Sequence, residues 1–248
     1  MFGYIPSERA NRLPAALLAY AVALAVFLLI PPLLKNPVGP PAGLTGQEAL
    51  DALTPLVAIP LAWYVMDLGG GLGRLGMVVF LIAAAAWVEG QGIHLAANAI
   101  DDTFPTGTLT DAWVKTPAGE LTHWLDEVGS HWLWHVAWSV ISFLLLATAM
   151  SGHGRSATGG GVVAAAAGAI HGGTFFMVTT EGVTTMLGIP VSVVLLLWSL
   201  VAIALGRSRS PIVTFFAVSS AVTLAAYLGW AAINGWTLPE PCSTVLHC

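Results

Sequence analysis

The stretch Leu13–Leu34, with the sequence LPAALLAYAVALAVFLLIPPLL, contains no charged residue. About 20 consecutive apolar residues are enough for an α-helix to cross the hydrocarbon core of a bilayer. The run lacks the small-residue cleavage site of a signal peptide and is predicted to be a transmembrane helix. The whole chain of 248 residues is 56% hydrophobic and only 8% charged, whereas soluble domains are about 25% charged. We therefore expect an integral membrane protein.

Six more apolar segments follow the first one. The predicted spans are approximately 13–34, 48–66, 75–100, 130–150, 159–179, 187–206 and 211–234. This pattern predicts an all-α fold, a polytopic transmembrane helical bundle that forms a single domain over residues 1–248. Within the loop 102–129, apolar residues recur at helical spacing and predict an interfacial helix. These residues are Leu121, Trp124, Leu125 and Val128.

The distribution of basic residues predicts the orientation of the bundle. With the N-terminus inside, six arginines fall on the cytoplasmic side and only Lys35 and Lys115 fall outside. This asymmetry follows the positive-inside rule and predicts an N-in, C-out topology. The loop 102–129 and the tail 235–248 are then extracytoplasmic, and we expect a plasma membrane of bacterial type with the polar residues facing outside. Cys242 and Cys248 would lie in that tail, either as a small-loop disulfide or as two free thiols.

The charges also restrict the partners. The eight Lys and Arg residues are scattered and the net charge is −5, which argues against nucleic acid as a partner. The expected partners are the lipid bilayer and a lipid-like substrate. Assembly as a homo-oligomer is left open by the sequence.

Polar side chains fall on one face of the third segment. At 100° per residue, Gln91, His94, Asn98 and Asp101 form a stripe about 80° wide. Glu89 lies about 140° from His94 and is expected to face another helix or to hydrogen-bond as a neutral acid. Because an ionisable side chain inside a membrane is costly, such residues are candidates for function.

Small residues predict where helices approach closely. Gly90 and Gly92 leave room for a neighbouring helix or a ligand beside the polar stripe. In the fifth segment, Gly159–Gly161 and Ala164–Ala167 form a small-residue face of the kind that packs closely in membranes.

The fourth segment carries ionisable residues four positions apart: His123, Glu127, His131 and His135. They form a slowly drifting stripe if the helix begins before the membrane. An H-x-x-x-H pair places two imidazoles on one helix face, as Zn²⁺ or Fe²⁺ requires. The alternative is an interfacial aromatic belt whose histidines reach water. His171 lies inside the fifth segment and is either a third ligand or a hydrogen-bonded core histidine.

Histidines from three helices together with carboxylates fit a catalytic metal site. The expected cofactor is one divalent transition metal, with Zn favoured and Cu or Fe as alternatives. The predicted metal ligands are His94, His131, His135 and His171. The candidate catalytic residues are Asp101, Glu127, Glu89 and Asn98. A carboxylate among these would act as general base, and the amide would donate to a developing oxyanion.

The sequence Ser130-His131-Trp132-Leu133-Trp134-His135 resembles the H-x-x-W/F-H signature of the CREST superfamily, which includes alkaline ceramidases and progestin/adipoQ-type receptors. The resemblance implies seven spans, three metal-binding histidines, an Asp and a Zn²⁺-activated water. It implies that His131 and His135 are paired ligands, that His94 is the third, and that Asp101 or Asp126 is the acid. In that superfamily the paired histidines lie in the seventh span, whereas here they lie in the fourth. The superfamily also has a Ser four residues before its first histidine, and the corresponding position before His94 is Gly90.

These features predict an intramembrane metal-dependent hydrolase that acts on a lipid-like amide or ester through a metal-activated water at the extracytoplasmic side. One alternative is a membrane copper or iron oxygenase, since mixed His and carboxylate ligands suit several metals. Another is a proton or metal-ion transporter that uses the same buried residues as a relay.

Overall fold

The computed structural model describes residues 7–34, 36, 38, 45–101, 112–113, 115–151 and 160–239, and it describes side chains in these ranges except at 7–11, 101 and 151. Its regular elements are helical. The α-helices are α1 (Ser7–Leu29), α2 (Gly46–Asp51), α3 (Thr54–Leu68), α4 (Arg74–Asp101), α5 (Pro117–Trp124), α6 (His131–Ser151), α7 (Gly160–Glu181), α8 (Thr185–Ala202) and α9 (Pro211–Ile233).

Seven helical segments in the described residues are long and apolar enough to cross a membrane. They are Arg12–Leu33, Gly46–Leu68, Arg74–Ile100, Pro117–Met150, Gly160–Glu181, Thr185–Arg207 and Pro211–Ile233. The predicted all-α bundle of seven spans is therefore confirmed. The helix expected within 102–129 exists as α5, which continues into α6 through a π-helical stretch (Leu125–Ser130).

The fifth span is in close contact with α9 at Gly168 and Gly172, which lie beyond the predicted face of Gly159–Gly161 and Ala164–Ala167; nothing lies within 4 Å of a Cβ on Gly161. A Cβ atom placed on Gly168 would lie 2.4 Å from the carbonyl oxygen of Phe215, and one on Gly172 would lie 2.3 Å from that of Ser219. Because the obstacles are backbone atoms, only glycine fits at either position. Two glycines four residues apart form the small-xxx-small pattern typical of membrane helix pairs.

Gly90 allows a similarly close approach between α4 and α6. A Cβ atom on Gly90 would lie 2.9 Å from the backbone nitrogen of Trp134 and 3.0 Å from the carbonyl oxygen of Ser130. The prediction of a close neighbour at Gly90 is therefore confirmed, whereas nothing lies within 4 Å of a Cβ on Gly92. The contact at Gly90 brings the polar face of α4 against the first turns of α6.

Large side chains fill the interior between these helices. Trp87 and Trp138 are fully buried, and their rings stack with centres 5.7 Å apart. Tyr20 of α1 is also fully buried. These large side chains form a packed core next to the polar end of the bundle.

We expect Gly90→Ala to destabilise the protein, whereas Gly92→Ala should leave its stability equal or slightly raised. A methyl group at position 90 meets backbone atoms that cannot rotate away, and overpacking of this kind costs about 1–3 kcal/mol. At position 92 the methyl group meets open space. Thermal unfolding of both variants in detergent, followed by tryptophan fluorescence, measures the difference. Equal melting temperatures for the two variants would contradict the close approach at Gly90.

Candidate functional site

A cavity of about 500 Å³ lies at the end of the bundle where α1, α4 and α7 end and α6 begins. One part of its wall is polar and is formed by Asp51, Gln91, His94, Asn98, Glu127 and His131. Another part is apolar and includes Leu28, Leu29, Leu33, Met177 and Val178. The volume is typical of small-molecule sites, and the two-sided lining suits an amphiphilic ligand.

The π-helical stretch Leu125–Ser130 decides which acid faces the histidines. A π-turn closes after five residues, so Asp126 and His131 lie on the same face, whereas in an α-helix they would be about 140° apart. Asp126 is consequently buried, with 5% of its surface exposed. Glu127, which the four-residue spacing placed on the histidine stripe, also lines the cavity with His131 but is only partly buried.

His94 occupies the centre of the polar wall. Its Nδ1 atom lies 2.6 Å from Oδ1 of Asp126, and its Nε2 atom lies 3.9 Å from Oδ2 of Asp51. The side-chain amide nitrogen of Asn98 lies 3.2 Å from the same Nε2 atom. His94 is thus held between two buried carboxyl groups from different parts of the chain.

The second carboxyl group comes from the short helix α2. Thr45 caps α2, and a capping box links it to Glu48, which fixes the direction in which the helix enters the bundle. Asp51 is the last residue of α2, and its Oδ1 atom accepts a hydrogen bond of 3.1 Å from the amide nitrogen of Gln91. The contact joins the α2–α3 span to α4.

Two further imidazoles continue from His94 into the bundle. The ring centres of His94 and His131 are 4.9 Å apart, and those of His131 and His135 are 5.5 Å apart with nearly parallel planes. His131 Nδ1 donates to the carbonyl oxygen of Glu127 at 2.9 Å. His135 is fully buried, and its Nδ1 atom lies 2.6 Å from the hydroxyl oxygen of Thr184.

The hydroxyl group of Thr184 indicates which nitrogen of His135 carries hydrogen. This hydroxyl donates to the carbonyl oxygen of Thr179, so its oxygen accepts from His135 Nδ1. The Nε2 atom of His135 then carries a lone pair, and it is buried without a hydrogen-bond partner. In all three imidazoles Nδ1 therefore lies beside an oxygen acceptor. Nε2 of His135 has no partner, whereas Nε2 of His94 lies beside the amide nitrogen of Asn98.

Gly182 completes this part of the site. It follows α7 and lines the cavity. A Cβ atom there would lie 2.8 Å from Cε1 of His135 and 3.0 Å from Cγ of His131. The absence of a side chain at position 182 lets the end of α7 cover both rings.

His171 does not join this group. Its Nε2 atom accepts a hydrogen bond of 3.3 Å from the indole of Trp138, and its Nδ1 atom donates to the hydroxyl of Ser219 at 2.8 Å. Both ring nitrogens are therefore in use, and the aromatic rings of Phe175 and Phe215 pack around it. The structure places His171 as a hydrogen-bonded core histidine, which was the alternative interpretation of the sequence.

Of the other predicted residues, two line the cavity. Asn98 and Glu127 lie at the cavity wall. Glu89 is exposed on the outside of α4 and does not face the cavity. Asp101 is the last residue of α4, but its side chain lies outside the described residues, as do Cys242 and Cys248.

Sequence reasoning missed three of the side chains that hold the histidines. Asp51 ends the short helix α2 near the start of the second span, and Thr184 lies in the turn before α8. Asp126 is five residues from His131, a spacing that the α-helical period does not select. Only the resemblance to a family signature pointed to Asp126, as one of two acids.

No protein-family model, curated protein or solved structure matches this chain. Within the described residues, no group of three or more His, Cys, Asp or Glu side chains forms a ready-made metal site. The seven apolar helices support an integral membrane protein.

We expect Asp126→Asn to lower the thermal stability, because it removes the charged partner of a buried imidazole. Breaking a buried pair of this kind costs about 3 kcal/mol. Glu120→Asn is the matched control, since Glu120 is an exposed acid of the preceding helix. The measurement is thermal unfolding in detergent. An Asp126→Asn variant as stable as the control would mean that the contact with His94 contributes nothing to the fold.

Proposed function

We propose that this protein is an intramembrane metal-dependent hydrolase that acts on a lipid-like amide or ester in the cavity between α1, α4, α6 and α7. The observation that carries the proposal is the common arrangement of His94, His131 and His135. Each has its Nδ1 atom beside a carboxylate, carbonyl or hydroxyl oxygen. Metal-binding histidines usually donate a hydrogen bond from the nitrogen that does not bind the metal, which orients the ring.

The proposed cofactor is one divalent transition metal. Imidazoles bound to the same tetrahedral Zn²⁺ through Nε2 have ring centres about 5 Å apart, given a Zn–N distance of about 2.0–2.1 Å. The neighbouring ring pairs here are separated by 4.9 and 5.5 Å. The buried Nε2 atom of His135 has no other partner, which favours a ligand role for it. Zn is the favoured element, and Cu or Fe would suit the same donors.

When bound, such a metal supplies a Lewis acid that activates water and polarises a carbonyl oxygen. The chain contributes the remaining functions. Glu127, at the cavity wall, would accept a proton as general base. The Asn98 amide, beside His94, would donate a hydrogen bond to the developing oxyanion. Asp126 orients His94 and does not contact the substrate in this proposal.

The proposed location follows from the distribution of basic residues. With the N-terminus inside, the cavity opens at the extracytoplasmic face of a bacterial-type plasma membrane. A lipid would enter from the outer leaflet along the apolar wall, and water would enter from outside. The polar wall would hold the amide or ester group.

A second candidate is a proton or metal-ion transporter, and one observation favours it. His94, His131 and His135 form a continuous row of imidazoles that leads from two carboxyl groups into the bundle. Rows of ionisable groups inside membrane proteins often conduct protons. Proton flux into liposomes, abolished by His131→Ala, would favour this candidate over the hydrolase.

The experiment for the proposed function is the metal content of the purified protein by elemental mass spectrometry. We expect about one Zn, Cu or Fe per chain, as in a mononuclear catalytic site. His94→Ala, His131→Ala and His135→Ala should each lose the metal, since each removes one ligand. His123→Ala is the control, because His123 is an exposed histidine on the helix that precedes the site.

His171→Ala tests whether metal loss is specific to the three proposed ligands or follows the removal of any buried histidine. This variant should retain the metal but melt at a lower temperature, since it removes two buried hydrogen bonds. Retention of the metal by all three ligand variants, or absence of stoichiometric metal after reconstitution, would contradict the proposal. The identity of the element would distinguish a hydrolase from an oxygenase.

A further inference from the structure

Glu89 carries a carboxyl group on the outside of the bundle, near the middle of a membrane span. It is exposed on α4 and, within the described residues, it has no hydrogen bond or ion pair. At 1.5 Å per residue, it lies about 22 Å from Arg74 at one end of α4 and about 18 Å from Asp101 at the other. Because the hydrocarbon core is about 30 Å thick, Glu89 lies close to its centre.

A carboxyl group at this depth needs a polar partner. Ionisable side chains inside a membrane are costly, and they almost always face a bundle interior or a water-filled cavity. The described residues offer Glu89 neither, because it lies about 140° round α4 from His94, which lines the cavity. Only 28% of the apolar window of this span is buried, the smallest share among the seven spans. Much of α4 is therefore left for a partner to cover.

The chemistry of Glu89 suits a second copy of this chain. The seven spans contain no lysine, and they carry arginine only at a first or last residue (Arg12, Arg74 and Arg207). A second copy therefore offers no basic side chain at the depth of Glu89. A protonated carboxyl group, however, both donates and accepts hydrogen bonds. Since a two-fold interface places the same surface of each subunit against itself, two Glu89 side chains can pair with each other.

The residues beside Glu89 allow two helices to approach closely. Ala85, Gly92 and Ala96 are exposed on α4, and at 100° per residue they lie within about 60° of Glu89. Nothing lies within 4 Å of a Cβ placed on Gly92, so its backbone is accessible to another helix. Gly92 and Ala96 form the small-xxx-small spacing that is common where membrane helices pair, and polar side chains strengthen such pairs by hydrogen bonds between the helices.

We infer that this chain forms a homodimer through the Glu89 face of α4, which consists of Ala85, Glu89, Gly92 and Ala96. In the dimer the Glu89 side chains of two copies hydrogen-bond to each other inside the membrane. The face points away from His94, so the pairing does not cover the polar wall of the cavity. The inference does not depend on the proposed function, because neither a metal nor a substrate takes part in the contact.

The test is the dimerisation equilibrium of the full chain in phosphatidylcholine vesicles, measured by single-molecule photobleaching over a range of protein-to-lipid ratios. We expect dimers to form as the ratio rises. Glu89→Leu should weaken the dimer about tenfold, because it removes a hydrogen bond between membrane helices. Glu89→Gln should retain most of the affinity, since an amide also donates and accepts. Val194→Ala is the control, because Val194 is an exposed apolar residue of another span, α8.

Disulfide cross-linking then locates the contact. The background chain carries Cys242→Ser and Cys248→Ser, so that only the introduced thiols react. Gly92→Cys should give a cross-linked dimer under mild oxidation with copper phenanthroline, since a side chain at position 92 meets open space. Val194→Cys, on the lipid-exposed side of α8, should not.

Three results would each overturn the inference. They are a chain that stays monomeric at every ratio, a Glu89→Leu variant that dimerises as tightly as the unmodified chain, and a cross-link at position 194 without one at position 92. Glu89 is on the outside of the bundle, so Glu89→Leu should insert and melt no lower than the unmodified chain. If that variant fails to insert, the cross-linking comparison decides the question.

Metal analysis of the same samples separates this inference from the proposed function. A dimer that depends on Glu89 in a protein without metal would support this inference and contradict the hydrolase. A monomeric protein with stoichiometric metal would overturn this inference and leave the hydrolase in place.

Discussion

The contact between His94 and Asp126 is the constraint on which the polar end of the bundle depends. Both side chains lie in membrane spans, and transfer of an ionisable group from water into such a place is expensive unless it is paired. The 2.6 Å separation of Nδ1 and Oδ1 meets that requirement and joins α4 to the chain before α6. Asp51 and Gln91 then connect the same helix to the second span.

Two local features make this contact geometrically accessible. Gly90 lets α4 approach the backbone of Ser130 and Trp134, and the π-turn carries Asp126 to the side on which His131 lies. π-turns often occur at functional sites, since an α-helix of the same sequence would present other side chains. Stacked, buried tryptophans (Trp87 and Trp138) fill the adjacent interior, so that the packing of the bundle does not depend on the polar residues.

The two buried histidine environments show how position changes the chemistry of one residue type. His171 is enclosed by aromatic rings and has hydrogen-bond partners at both nitrogens. His135 is equally buried, yet its Nε2 atom has no partner. In the sequence His135 belongs to an H-x-x-x-H pair with His131, whereas His171 is the single histidine of an apolar helix. The pattern separates the two residues, but it does not show which ring nitrogens have partners.

The seven spans and the all-α class were predictable from the amino-acid sequence, because a bilayer requires long apolar helices and composition records them directly. Helical periodicity also placed His94 and Asn98 on one helix face, and His131 and His135 on another. Tertiary contacts were needed to show that Asp51, Asp126 and Thr184 lie beside the imidazoles, that His171 belongs to the core, and that Glu89 faces outward. These outcomes depend on a π-turn, a short capped helix and the neighbours of each face, none of which has a periodic signature in the chain.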